Sequence, residues 1–322
     1  MFFVFGARVI AGVFIMLLLS ACGTTPQIQA LRSTPPAHLP VRAELTQVVF
    51  YPQDEHQCGP AALAMALQNA GVNVAPQQLT NFVYLPEKQG SLQVEMLAAA
   101  RRNGMVAYLL PPKLADVMAE VAAGNPVVVL QNLALSWYPV WHYAVVVGYD
   151  LGREQLILRS GKDARQELSF FTFEKTWARS NDWAMVVLPP GRMPQTATAE
   201  TYIPGIAALE HSSPEQDVWP AYAAAMQRWP DSLVAKIAAG NYVYNRNNLN
   251  LAEQLFTEAA QTHPDALAAW NNLAQTLSDL GKYDAALVAA RRAVETGGQL
   301  ESVARGTLAE IERKKFEHDG KK

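Results

Sequence analysis

Cysteine is scarce: only Cys22 and Cys58 occur in 322 residues. That excludes a disulfide framework of the kind that staples small exported domains. The six histidines are scattered, and only one cysteine lies beyond the N-terminal segment, so no zinc cage can be assembled either. Charge is sparse as well. Charged residues make up 17% of the chain and the formal net charge is −3, which offers no basic field for nucleic acid. No cofactor is expected. Half of the residues are hydrophobic and the length suits two domains better than one.

One stretch, Met1 to Ala21, is almost wholly apolar, with Arg8 its single charge. Such a segment, with small residues before a cut, reads as a secretory signal over residues 1–21. The ending Leu19-Ser20-Ala21-Cys22-Gly23 resembles the lipobox of bacterial lipoproteins. The resemblance implies that Cys22 is acylated and becomes the mature N-terminus. An uncleaved membrane helix is the alternative, because the run is near spanning length. By resemblance to enterobacterial sorting, Gly23 in place of Asp implies the outer membrane of a Gram-negative envelope, facing the periplasm. Residues 22–43, polar and rich in Pro and Thr, read as a flexible tether.

Acylation of Cys22 leaves Cys58 as the sole thiol in an oxidising compartment, which is worth flagging. It sits in Pro52-Gln53-Asp54-Glu55-His56-Gln57-Cys58-Gly59-Pro60-Ala61-Ala62-Leu63. Pro60 suits the first turn of a helix, where its missing N–H has no intrahelical partner. A helix N-terminus favours a thiolate over a thiol. The spacing therefore admits two readings, a nucleophile or a small buried core residue.

Residues 44–190 carry mixed elements. A strand is expected over Glu44–Tyr51 and a helix over Cys58–Asn69, stopped by Gly71. Helices are expected over Ala75–Val83, Ser91–Asn103 and Lys113–Ala123, with strands at Val106–Leu110 and Val127–Leu130. An aromatic loop (Trp137, Tyr138, Trp141) then leads into His142-Tyr143-Ala144-Val145-Val146-Val147-Gly148-Tyr149, a run that fits a strand buried on both faces. The loop reads either as the wall of a substrate groove or as packing over the sheet. Leu156–Leu158, Gln166–Phe170 and Trp183–Leu188 continue as strands, with a helix over Phe173–Arg179. Helices first and antiparallel strands last make an α+β layout.

After a linker over 191–204, strands vanish and alanine-rich helices take over for residues 205–316, before a polar tail over 317–322. Gly240, Ala252, Phe256, Ala259 and Pro264 are followed at the same offsets by Ala274, Ala286, Ala290, Ala293 and Gly298. The period of 34 is that of tetratricopeptide repeats. Asp217–Trp229 reads as the second helix of an earlier, degenerate unit. A plain helical bundle is the alternative.

Of the histidines, His142 is the one placed at the start of a buried strand, able to reach a helix N-terminus. Gln53, the stretch Cys58-Gly59-Pro60-Ala61-Ala62-Leu63 and the His142 strand together resemble the papain-like bacteriocin-processing (double-glycine leader) cysteine peptidases and their stand-alone relatives. The resemblance covers about Gln47 to Pro189. It implies an α+β papain-like domain, which the 34-residue period follows with an all-α tetratricopeptide domain. It further implies Cys58 as nucleophile, His142 as general base, and an oxyanion hole from the Gln53 amide and the Cys58 N–H. Gln57 competes for the glutamine role. Relatives carry Asp-Pro on the strand after the histidine, whereas this chain reads Leu158-Arg159-Ser160-Gly161. Ser160 or Asp163 is then the candidate to orient the imidazole. Asp150 lies too far along its strand.

The expected protein is a lipid-anchored cysteine peptidase acting on a peptide or protein. A protein partner sits on its repeats, and the membrane holds it through lipid. An inactive peptidase fold serving as a binding module is the main alternative. A peptidoglycan amidase ranks lower, because the Asp-Cys-Ser-Gly start usual in such enzymes is missing.

Overall fold

The computed structural model describes residues 25–53, 57–88, 90–213 and 218–320. The signal segment and Cys22 lie outside the described residues, as does His56. By their internal contacts the residues form two compact units, Met1–Met96 with Leu109–Val186, and Leu97–Tyr108 with Val187–Lys322. Among the described residues no helix is long and apolar enough to cross a membrane.

The first unit begins with α1 (Pro26–Ser33) and β1 (Arg42–Glu44). Then come α2 (Cys58–Asn69), α3 (Pro76–Val83) and the short hairpin β2 (Tyr84–Leu85) and β3 (Gly90–Ser91). Helix α4 (Gln93–Arg102) and strand β4 (Val106–Leu109) span the segment that passes to the second unit. The first unit resumes with α5 (Leu114–Ala122), β5 (Val127–Asn132), β6 (Trp141–Asp150), β7 (Gln155–Ser160), β8 (Asp163–Ser169), α6 (Phe170–Ala178) and β9 (Ala184–Leu188).

Its sheet runs β9-β5-β6-β7-β8, antiparallel throughout, and β1 joins the far end of β6 by pairing Arg42–Glu44 with Asp150–Gly148. Residues Tyr143–Tyr149 of β6 are all buried, as a strand covered on both faces requires. Helix α2 packs on β5, β6 and β3. Every residue from Gly59 to Leu67 is buried, so α2 has no polar stripe: it is apolar all round because it is enclosed. Gly71, at φ +95°, ends it. The approach of β3 is close: a Cβ on Gly59 would run into Ser91 Oγ and Cβ. No larger residue fits there unless Ser91 moves.

Two stretches differ from the expectation. The aperiodic tether contains α1, held because the N–H groups of Gln27 and Ile28 donate to the buried Glu174 carboxylate at 3.1 and 3.0 Å, with Ile28 in the core. Those bonds satisfy helix-start donors that nothing local supplies. The strand expected over Glu44–Tyr51 stops at Glu44. Beyond it the backbone leaves the ladder, and the buried Arg159 guanidinium donates to the Val48 carbonyl at 3.2 Å. A side chain a hundred residues away has taken the place of a neighbouring strand.

The second unit is helical apart from β4. It holds α7 (Ala199–Ser212), α8 (Trp219–Arg228), α9 (Leu233–Asn245), α10 (Leu249–Thr262), α11 (Leu267–Asp279), α12 (Tyr283–Thr296) and α13 (Glu301–Asp319). Helices α9, α11 and α13 begin at 233, 267 and 301, and α10 and α12 at 249 and 283. Each step is 34 residues. Gly240, Ala252, Phe256 and Ala259 are buried, as are their counterparts Ala274, Ala286, Ala290 and Ala293. A Cβ on Gly240 would meet the Phe256 ring, so α9 and α10 approach each other through the missing side chain.

Candidate active site

Cys58 is the first residue of α2, half-buried and unpaired. The backbone N–H of Tyr143, third residue of β6, lies within hydrogen-bond reach of its sulfur together with the N–H groups of Gly59 and of Cys58 itself. The helix start and the strand start expected to converge therefore do so, with His142 the immediate neighbour of the residue that touches the thiol. Tyr143 is pinned in turn. Its hydroxyl donates to the Ser91 carbonyl at 3.3 Å and its ring meets Trp183 edge-on at 5.7 Å.

The imidazole of His142 has a partner. Its Nε2 lies 2.9 Å from Ser160 Oγ. The β6–β7 register pairs Val145 with Arg159, which sets Ser160 across from Ala144 and on the same face as His142. Diagonal neighbours on one face are within side-chain reach. Asp163 is not brought in: it opens β8, is exposed, and its Oδ1 accepts the Arg165 N–H at 2.8 Å. Asp150, at the other end of β6, accepts the Arg153 N–H at 3.0 Å.

Gln53 is buried beside this pair. Its N–H donates to the Gly161 carbonyl at 2.9 Å, and its Oε1 accepts the Gly161 N–H at 3.0 Å, next to Ser160. With the oxygen spent, the amide Nε2 stays buried with no partner among the described residues. A buried donor left unpaired costs about 1–3 kcal/mol, so its persistence needs a reason. Gln57 differs, since its Oε1 accepts from Thr80 Oγ1 at 3.2 Å on the outer side of the helix start.

The electrostatics depart from the expected ionised sulfur. Burial pushes the Cys58 thiol up from its ordinary value, and the three N–H groups only partly offset it. Burial pushes His142 down. Both shifts favour the neutral forms, thiol and imidazole. At Cys58 desolvation outweighs the neighbouring backbone N–H groups at the helix start. Among the described residues no three of His, Cys, Asp and Glu cluster as metal ligands would.

The aromatic loop does not pack over the sheet. Trp137 is 80% exposed and Tyr138 69%. Nothing in the run of charges or periodicity marked the other contributors to the site. Ser91 and Trp183 act by tertiary contact alone.

Residues 45–185 match the Peptidase_C39 like family. The match spans the first unit's site from before Gln53 to beyond Ser160. It stops short of the helices that follow. Among solved structures, a protein described as a C39-like peptidase of Bacillus anthracis is 20% identical, covers 46% of this chain and 97% of its own, and has a TM-score of 0.38. The peptidase domain of Streptococcus ComA, a bifunctional transporter of a quorum-sensing pathway, is 21% identical, with 44% and 98% covered and a TM-score of 0.35. No curated protein matches.

Proposed function

We propose that the first unit is a cysteine peptidase whose nucleophile is Cys58 and whose base is His142. The observation that carries this reading is the Tyr143 N–H on the Cys58 sulfur while Ser160 holds the neighbouring imidazole. With Nε2 engaged by Ser160, Nδ1 is the nitrogen left to face the thiol.

In this reading the thiol proton passes to His142 Nδ1 as the sulfur attacks the scissile carbonyl carbon. The carbonyl oxygen becomes an oxyanion, received by the Cys58 N–H and the unspent Gln53 Nε2. Collapse breaks the C–N bond, and His142 gives its proton to the leaving amine. A water, losing a proton to His142, then attacks the thioester, and the acid product leaves as the thiol regains its proton. With burial favouring the neutral form of each group, nucleophile and acid are generated together in this reading.

The test is labelling of the purified chain with a peptide acyloxymethyl ketone. Fast labelling that Cys58→Ala and His142→Ala each abolish is the expected result. Labelling no faster than that of a free cysteine would remove the enzyme reading.

One observation favours a second reading, a peptidase fold kept as a binding module. Ser160 is neutral where a carboxylate would stabilise the imidazolium. Slow labelling with intact binding of an unmodified peptide would select it.

The remaining parts of the proposal concern address and partners. Acylation at Cys22, outside the described residues, would anchor the chain in the outer membrane facing the periplasm. The 34-residue steps and the Gly240–Phe256 contact support tetratricopeptide-type packing, which forms an extended surface for a protein partner. Crosslinking in cells, with attachment mapped to residues 233–319, tests that partner. Attachment elsewhere only would remove it.

A further inference from the structure

We propose that the loop between β5 and β6, residues 133–141, is a bilayer-docking finger that sets its Trp137–Tyr138 tip into the interfacial layer of the membrane holding the chain. This rests on the reading that Cys22 is acylated. Four observations of the first unit carry it.

The first is composition and exposure. Between Glu120 and Asp150 the chain has no Asp, Glu, Lys or Arg. Leu133, Leu135, Trp137, Tyr138, Val140 and Trp141 are 47–80% exposed in nine residues. Trp137 and Tyr138 stand furthest out from the body, and the other four, each about half covered, form the flanks beneath them. Trp and Tyr are the residues that settle at the membrane–water interface, with an apolar ring and a polar edge.

The second is how the loop treats its backbone. Buried Asn132 accepts the Ala134 and Val140 N–H groups on its Oδ1, both at 3.0 Å, and its Nδ2 donates to the Leu135 carbonyl at 3.3 Å. The Leu133 N–H donates to the Val140 carbonyl and the Tyr138 N–H to the Leu135 carbonyl. Pro139 has no N–H to satisfy. These bonds brace the loop's base, while the Leu135, Ser136 and Trp137 N–H groups at the tip have no partner among the described residues, which suits the hydrated interfacial layer and not the hydrocarbon core.

The third is reach. Helix α1 is docked, and Thr25, the first described residue, lies three residues after the acyl-bearing Cys22 in sequence. That spans at most about 11 Å. The unit cannot stand off from the bilayer as a long tether would allow. Glu174, which holds the start of α1, and Arg179, which donates to the Asn132 carbonyl at the loop's base at 3.2 Å, lie on one helix and its cap. Five residues of helix separate them by roughly 7.5 Å along the axis.

The fourth is charge. Arg179, the cap of α6, brings a cation to the loop's base, where anionic headgroups would lie.

The test reconstitutes the full acylated chain into vesicles of phosphatidylcholine and phosphatidylglycerol with brominated acyl chains, which quench nearby tryptophans. The expected result is that Trp137→Phe with Trp141→Phe lowers the fraction of emission quenched by at least half, with an unchanged melting temperature. Equal quenching of both proteins, with the chain sedimenting with the vesicles, overturns the finger and leaves the anchor standing. Failure to sediment overturns both, and the mass of the N-terminal peptide reports acylation separately. A peptide substrate that shifts the emission of these two tryptophans in the absence of vesicles, with no lipid quenching, assigns the loop to the peptidase groove instead and likewise overturns the proposal.

Discussion

The imidazole of His142 is held at 2.9 Å by the hydroxyl of Ser160, eighteen residues away on the neighbouring strand. A hydroxyl fixes tautomer and ring position, as a carboxylate does, without contributing charge.

Ser160→Ala should therefore slow peptide acyloxymethyl ketone labelling of Cys58 modestly, by roughly two- to tenfold, the range set by one neutral hydrogen bond. Ser160→Asp should raise the His142 pKa, because a carboxylate favours the imidazolium. Histidine NMR titration reads the shift directly. No movement of the His142 signal would show that position 160 does not face the ring in solution.

The pH dependence follows from the two burial shifts. Alkylation by iodoacetamide, which reports thiolate, should have its midpoint above that of free cysteine, since Cys58 is pushed up. A midpoint below it would mean a preformed ion pair. Stability carries matching signs. Cys58, with its folded-state pKa raised, contributes stability at lower pH that is lost as pH rises past the ordinary thiol range. His142, with its pKa lowered, contributes stability at higher pH that is lost as pH falls below the ordinary histidine range. Melting temperature against pH should thus fall on both sides, and Cys58→Ala should flatten only the alkaline limb.

Gly59→Ala should destabilise the first unit by about 1–3 kcal/mol, the cost of forcing a methyl group into a filled space. The obstruction is Ser91, so Gly59→Ala with Ser91→Gly should recover part of the loss. Denaturant unfolding of the single and double variants measures the coupling. Additive effects would place the strain elsewhere.

Gly240→Ala should separate α9 from α10 by crowding the Phe256 ring, at a similar cost of about 1–3 kcal/mol. Gly306, on α13 with open space around its Cβ position, serves as the control: Gly306→Ala should be neutral or stabilising, as alanine is the better helix former. Thermal melts compare the two.

Much of this molecule was legible in the order of its residues. The Cys58 helix, the buried β6 run and the 34-residue step depend on spacing along the chain, and spacing survives without coordinates. The sequence by itself determined which thiol was available, since only two cysteines exist, and singled out His142 among six histidines by its place at the start of a buried strand. Only the tertiary structure decided which residue orients His142, because register and not proximity in sequence chose Ser160 over Asp163. It also decided that Gln53 spends its oxygen and keeps its nitrogen, that burial shifts both Cys58 and His142 toward their neutral forms, and that α1 docks where a tether was expected. Each of these depends on what arrives from more than a dozen residues away to exclude water or to accept a hydrogen bond, and no local pattern encodes that arrival.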